Sequence, residues 1–277
     1  MAKLKDVKDS VSNVPAVQEA MPLAELIKKD TIKERFKEVM GQKAAAFLSS
    51  VLSAVHQNPS LKFCDPMTII SSAMIAATLD LPINQSLGFA HLVPYKNRAQ
   101  FQMGWRGYVQ LAIRTGQYKS IHASEIYDGE LKSYNRIMGE IEIDANGKVS
   151  DKIIGYVAFF KLINGFEKYL YMTVEEIQKH GKRYSRSYEV PEGKWKTDFD
   201  AMAKKTVLKM LLSKYGILSI DLQRAIIADQ GVTTKIESPI ENLTYPDNTD
   251  INPETGQKVT TDTEIEFAPD VPAKKED

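Results

Sequence analysis

Apolar residues recur at helical spacing from Leu23 onward. Phe36, Val39 and Met40, then Ala44, Phe47, Leu48, Val51, Leu52 and Val55, keep the i, i+3, i+4 rhythm of a stripe that faces a core. Thr31 with Glu34 has the spacing of a capping box, and Asn58-Pro59 is a stop signal. Asp65-Pro66 reads as an N-cap followed by the first helical residue. Met67 to Leu79 is almost wholly apolar or small, so the helix it predicts should be buried. After Leu81-Pro82 the period changes. Gly88 to Tyr95 and Ala99 to Met103 predict two strands joined by a polar turn at Lys96-Asn97-Arg98. Gly104 then releases the chain into a helix from Trp105 to Thr115. Its expected apolar face is Trp105, Val109 and Ala112, with Gly116 at its end.

Strand signals dominate the middle of the chain. Ser120 to Tyr127 and Ile137 to Ile143 read as strands. The runs Gly155 to Leu162 and Phe166 to Met172, joined by Asn164-Gly165, predict a β-hairpin. Thr173 and Glu176 form a second capping-box pattern for a helix reaching about His180. A loop-like, basic stretch follows, and then a helix from Thr197 to Tyr215. Its expected buried stripe is Phe199, Met202, Ala203, Thr206, Val207, Met210 and Leu211. A shorter helix from Ser219 to Asp229 closes the predicted core. The organisation expected from these patterns is a flexible segment over 1–30, a core over 31–229 and an acidic, disordered tail over 230–277.

Charge changes this picture. The 277 residues carry 36 basic and 36 acidic side chains, yet 12 of the acids and only 4 lysines fall from Asp229 onward. The body is therefore basic and the tail acidic, as in a polyanion-binding core with a separate appendage. Leu92 to Lys119 contains Lys96, Arg98, Arg106, Arg114 and Lys119 and no acid, with Tyr95, Phe101, Trp105, Tyr108 and Tyr118 among the cations. A second basic and aromatic segment holds Lys182, Arg183, Arg186, Lys194 and Lys196 with Tyr184, Tyr188 and Trp195, followed by Lys204, Lys205 and Lys209. Cations interleaved with flat rings suit a polyanion that carries stackable bases, which is single-stranded nucleic acid.

Other chemistries find no pattern. The sequence has no GxxxxGK[ST], no GxGxxG and no GxSxG, and its four histidines and one cysteine lack metal-ligand spacing. Asp198/Asp200 and Glu175/Glu176 are the nearest thing to a nuclease's carboxylates, but they sit in first turns of helices, where acids are expected for dipole reasons. The N-terminus lacks the apolar region of a secretory signal, and no apolar run is long enough to span a bilayer. With a lone cysteine, this predicts a cytoplasmic protein with no membrane association.

Several motifs then fall into a familiar order: Cys64-Asp65 at a helix start, Gly88 to Tyr95, Gly104-Trp105-Arg106-Gly107, and Met202-Ala203-Lys204-Lys205-Thr206. Over Phe36 to Ala228 the chain resembles the RecT family of phage single-strand annealing proteins. The resemblance implies an α+β fold, with antiparallel β-hairpins and a small sheet flanked by helices, that oligomerises into rings or helical filaments. It implies ATP-independent binding of single-stranded DNA and of an annealed duplex intermediate, in the cytoplasm of a bacterial host and beside a phage exonuclease. It implies no enzymatic activity and no required cofactor, with Mg2+ at most a modulator. The expected DNA contacts are Lys96, Arg98, Trp105, Arg106, Arg114 and Lys119 on one side of a groove, and Lys182, Arg183, Arg186, Lys196, Lys204, Lys205 and Lys209 on the other. The acidic tail is expected to meet a host single-strand-binding protein or to mask the groove. A strand-coating protein that does not anneal and a metal-dependent nuclease remain the alternatives.

Overall fold

A computed structural model describes residues 21–245 other than 192, together with the strand pair Asp250–Ile251 and Lys258–Val259. In chain order the helices and strands up to residue 228 are α1 (Leu23–Leu26), α2 (Asp30–Met40), α3 (Ala44–Gln57), α4 (Pro66–Thr78), β1 (Ala90–Tyr95), β2 (Arg98–Met103), α5 (Trp105–Arg114), β3 (Tyr118–Tyr127), β4 (Leu131–Asn135), β5 (Glu140–Ile143), β6 (Ile153–Leu162), β7 (Glu167–Thr173), α6 (Val174–Tyr184), α7 (Lys194–Thr197), α8 (Phe199–Tyr215) and α9 (Ile220–Ala228). The fold is α+β with small antiparallel sheets, as expected. No helix among the described residues is long and apolar enough to cross a membrane. The core expected over 31–229 divides into two compact units. The first comprises Met1–Arg114 and Leu218–Leu243, and the second Thr115–Ile217 and Thr244–Asp277.

The first unit is built around α4. Asp65 caps it, its Oδ1 accepting from the Met67 N–H at 2.9 Å, and Pro66 opens the first turn. Every residue from Thr68 to Ala77 is buried, so the helix is enclosed on all sides, as its uniform apolarity requires. Two of its hydroxyls have a task. Thr68 Oγ1 accepts from the Ala99 N–H at 2.9 Å, and Ser72 Oγ donates to the Ala99 carbonyl at 3.1 Å. The two lie one turn apart on the same face. With the Asp65 N–H donating to the Asn97 carbonyl at 2.8 Å, they clamp β2 onto the helix. Upstream, Gly41 at φ +57° separates α2 from α3, so the long apolar stripe is carried by two helices. The capping box expected at Thr31 is absent: α2 starts at Asp30, two residues before the start that a Thr31 cap would set, and its N-cap position is Lys29, without a side-chain cap.

The chain returns to the first unit after α9. The Gln230 N–H donates to the Phe101 carbonyl at 2.9 Å, and the Phe101 N–H donates to the Gly231 carbonyl at 3.3 Å, so residues 230–231 lie along the open edge of β2. Val232, Thr233 and Ile236 are buried, and Arg35 donates to the Glu237 carbonyl at 2.7 Å. Residues 230–243 therefore belong to a folded unit, although composition assigns them to the tail. Composition averages over acids such as Glu237 and Glu241, while the contacts are made by backbone and by the apolar residues between them. At the other end Leu26 and Ile27 are already buried. Residues 1–20, 246–249, 252–257 and 260–277, which hold the rest of both expected terminal segments, lie outside the described residues.

The second unit is a three-stranded antiparallel sheet, order β3–β6–β7, with α8 on one face. Tyr156, Ala158 and Phe160 alternate toward that helix and are buried. The Tyr156 hydroxyl donates to Asp200, and the Lys204 ammonium meets Glu125 at 2.6 Å. The Asn164-Gly165 hairpin forms as expected, with Gly165 at φ +91° and Lys161 opposite Glu167. β4, not among the strands expected from the sequence, pairs with β5 into a small hairpin. Leu131, Tyr134 and Ile141 of that hairpin pack over Ile126, Val157 and Tyr171 on the second face of the sheet.

One buried group fastens the first unit's closing segment. Asp229, 4% exposed, accepts from the Met103 N–H at 3.0 Å through Oδ1 and from the Tyr108 hydroxyl at 3.1 Å through Oδ2. Burial first, and then this carboxylate, push the Tyr108 hydroxyl well above its ordinary pKa, so it remains a donor. Asp229→Ala leaves both buried donors without this acceptor, and should cost about 2–5 kcal/mol. A fall in the urea midpoint much larger than that of an exposed control such as Asp221→Ala is the expected result.

Candidate nucleic-acid interface

In the first unit the expected residues cluster at the β1–β2 hairpin and the start of α5. Tyr95 pairs with Arg98, which leaves Lys96 and Asn97 as a two-residue turn with Lys96 at φ +53°. Lys96, Asn97 and Arg98 are all exposed, and the Lys96 ammonium lies 5.8 Å from the Tyr95 ring centroid. The tip is held by its bond to Asp65 at the head of α4, so these charges project from a fastened loop.

The Gly104-Trp105-Arg106-Gly107 motif has a steric cause. A Cβ on Gly104 would stand 2.0 Å from the Gly88 carbonyl oxygen, and one on Gly107 would stand 2.2 Å from that of Phe89. The first turn of α5 is pressed against the backbone that leads into β1, and only glycine permits that approach. Between the two glycines, Trp105 is half-buried and Arg106 exposed, with the guanidinium 5.5 Å from the indole ring. The buried side of α5 is Gly107, Tyr108, Leu111 and Ala112, rather than the expected Trp105, Val109 and Ala112. The helix is rotated because Tyr108 reaches inward to Asp229. Arg114, expected beside Arg106, is engaged elsewhere. It donates to the Leu79 and Asp80 carbonyls, both at 2.8 Å, and so satisfies acceptors at the C-terminal end of α4.

In the second unit the cations gather on aromatic rings. Tyr188 is buried, with Lys182 and Lys196 at 5.9 and 5.0 Å from its centroid. Trp195 packs beside it at 5.4 Å. Gly181 is required there, because a Cβ would meet the Tyr188 ring at 2.6 Å. Arg183 lies 5.3 Å from the ring of Tyr184, which is 50% exposed. Tyr188, the ring shared by two cations, was legible in sequence only as one aromatic among several. Lys196 also meets Glu189 at 3.5 Å. Arg186 falls in the turn Arg186–Glu189, and its side chain lies outside the described residues. Lys119 is exposed near the start of β3, at a bulge in its pairing with β6.

The α8 lysines divide. Lys204 holds Glu125, and this hydrogen bond keeps the Glu125 carboxyl below its usual range. Lys205 is 6% exposed, and Lys209 is half-buried. The buried stripe of α8 includes Lys205, Leu208 and Leu212, whereas the expected Phe199, Met202 and Met210 are only partly covered. The carboxylates considered for metal chemistry have structural partners. Asp198 caps α8 by accepting from the Ala201 N–H at 3.4 Å, Asp200 accepts from Tyr156, Glu175 pairs with Lys179 at 2.8 Å, and Glu176 completes the Thr173 capping box. Among the described residues no group of three or more His, Cys, Asp or Glu side chains is placed to hold a metal ion.

Burial, and then the charge of Lys209, lower the pKa of His180, whose ring lies 4.7 Å from that of Tyr184. The unfolded chain therefore takes up a proton at this residue before the folded one does. The resulting stabilisation is complete above the ordinary histidine value of about 6.5 and is lost as pH falls through the lower folded value. Replacing His180 by Gln should flatten the fall in melting temperature over that acid range. Gly107→Ala should lower the stability of the chain by about 1–3 kcal/mol even though alanine favours helix, because the clash is with backbone; thermal melting measures it.

A family model described as the RecT family matches residues 45–242. An uncharacterized protein of Bacillus subtilis (strain 168), YqaK, is 46% identical over 241 residues, covering 86% of this chain and 84% of that protein. Protein RecT of Escherichia coli (strain K12) is 27% identical over 241 residues, covering 83% of this chain and 88% of that protein. The match ends close to Leu243, where the first unit's returning segment ends, and so extends beyond the Ala228 limit drawn from motifs.

Proposed function

The chain belongs to the RecT family, and from that premise we propose that it binds single-stranded DNA and anneals complementary strands, without nucleotide hydrolysis, in phage-type homologous recombination. The observation that carries this reading is the repeated pairing of a cation with an aromatic ring, Arg106 with Trp105 in one unit and Lys182 and Lys196 with Tyr188 in the other. Fixed cations of this kind hold phosphates, and phosphate contacts carry no base identity. A strand held by its backbone keeps its base edges available to a complement. Lys96, Arg98, Arg106, Lys119, Lys182, Arg183 and Lys196 are the side chains assigned to phosphate. Arg114 and Lys204 contribute through the structure that positions them.

Annealing over a useful length requires many protomers along one strand, so the proposal includes a homo-oligomer, ring or helical filament, that retains the new duplex. A phage exonuclease would supply the single strands, and the acidic residues after Tyr245 would engage a host single-strand-binding protein. No cofactor is required, and Mg2+ acts at most by screening phosphate.

Two complementary oligonucleotides mixed with the protein at low salt and without nucleotide should form duplex faster than they do alone. A preformed complex with one strand should capture the other; a complex that blocks capture would instead indicate a coating protein. Arg106→Glu should weaken binding by about tenfold or more and equally for all sequences, and should reduce the salt dependence, whose slope is about −0.7 per phosphate contact on a single strand. A sequence-selective loss would contradict the phosphate role.

A further inference from the structure

An exposed ring beside the β1–β2 hairpin tip takes no part in the cation–aromatic clusters described above. Phe63 is 78% exposed, more than any other aromatic side chain among the described residues. It ends a short 3-10 helix, Pro59–Phe63, that leads into the Asp65 cap of α4. Leu61 and Cys64 are buried, and the Cys64 N–H donates to the Leu61 carbonyl at 3.1 Å. Residues three apart in such a helix share one side. The turn is thus anchored through Leu61 and Cys64, and Lys62 and Phe63 are left exposed between them. The same turn packs against β1. The bond from the Asp65 N–H to the Asn97 carbonyl ties the chain, two residues after Phe63, to the middle of the Lys96-Asn97-Arg98 tip. Two residues span at most about 7 Å, so the Phe63 backbone is kept close to that tip.

The charge around the ring selects the ligand. Lys62, Lys96 and Arg98 are exposed, and among the described residues none of them is paired with an acid. No Asp or Glu occurs between Asp80 and Glu125. The nearest carboxylate in sequence, Asp65, accepts from the Met67 N–H and lies at the positive end of α4, which offsets its charge. An apolar partner covering the ring would strip water from these cations and give them nothing in return. A nucleic-acid strand brings a phosphate to the cations and a flat base to the ring. We propose that Phe63 stacks on a base of single-stranded DNA whose neighbouring phosphates are held by Lys62, Lys96 and Arg98. This role rests on the nucleic-acid reading above and adds Lys62 and Phe63 to the surface assigned there. A phenyl ring offers no hydrogen bond, so the contact accepts any base. Fixed from both sides of the turn, the ring has little freedom left to lose on binding.

The test compares the full chain's affinity for a mixed-sequence oligodeoxynucleotide and for an abasic strand of the same length. Phe63→Leu keeps apolar bulk and removes the ring. It should lose about tenfold in affinity for the ordinary strand and leave the abasic strand unaffected, whereas Phe63→Trp should retain the ordinary affinity. No loss for Phe63→Leu, or an equal loss on both strands, overturns the stacking role. Lys62→Ala should weaken binding of both strands alike, and no loss on either overturns the placing of phosphate beside the ring. If Phe63→Leu instead reduces the size of the DNA-free protein in light scattering, the ring lies at a contact between copies and the proposal is overturned. Should a variant fail to fold, the unmodified protein is irradiated with an iodouracil-substituted strand. Adducts on Phe63 support the proposal, and adducts confined to other peptides overturn it. A wild-type protein that binds neither strand removes the nucleic-acid reading and this role with it. One that binds and anneals ordinary strands no better than Phe63→Leu removes only this role.

Discussion

Asp229 carries a carboxylate into the interior of the first unit, where an unpaired charge would be prohibitively costly. Its carboxylate oxygens accept from the last residue of β2 and from the inward tyrosine of α5. The hairpin, the helix that follows it and the closing segment after α9 all meet at this one group. The position of α5 follows from it, and so does the exposure of Arg106. Turning Tyr108 inward toward Asp229 places Arg106 on the outer side and leaves Trp105 at the boundary between core and solvent.

The glycine pair supplies the complementary constraint. Asp229 draws α5 inward, and Gly104 and Gly107 allow its first turn to lie directly on the 88–89 backbone. A helix start held from both sides keeps its exposed side chains on a fixed base. Less freedom then remains to be lost when a ligand binds, which favours affinity without added contacts. In the second unit Gly181 has the same role beneath Tyr188, the ring shared by Lys182 and Lys196. The two cation–aromatic clusters thus have the same construction: a glycine where backbone or ring must approach closely, an aromatic surface at that point, and a cation beyond it.

What was legible in the sequence was local. Asp65 with Pro66, Thr173 with Glu176, and Asn164 with Gly165 each act within four residues, and each forms as its spacing implies. Thr31 with Glu34 has the same spacing and does not form a cap, because the helix start is set two residues earlier. The bond between Tyr108 and Asp229 joins residues 121 apart, and no local pattern announces it. Charge was the least transferable signal. A lysine or arginine reads the same in sequence whether it faces solvent, as Lys96 does, completes a helix end, as Arg114 does, or lies covered, as Lys205 does. Five cations in an acid-free run of sequence are not five available cations in the fold. The extent of the folded chain was misjudged for a related reason: the segment after Asp229 is held by backbone hydrogen bonds, which composition does not register.

The interruption of the first unit bears on the order in which the chain can acquire structure. Its hairpin and α5 are complete by Arg114, but the residues that close it begin only at Leu218. During synthesis from the N-terminus, the donors on Met103 and Tyr108 and the open edge of β2 must wait for more than a hundred further residues. The intervening stretch Thr115–Ile217 needs little from outside itself and can be finished first. The buried carboxylate is therefore also a late event in folding. A nascent chain stalled before residue 229 would present an unpaired strand edge, the kind of surface that recruits other strands.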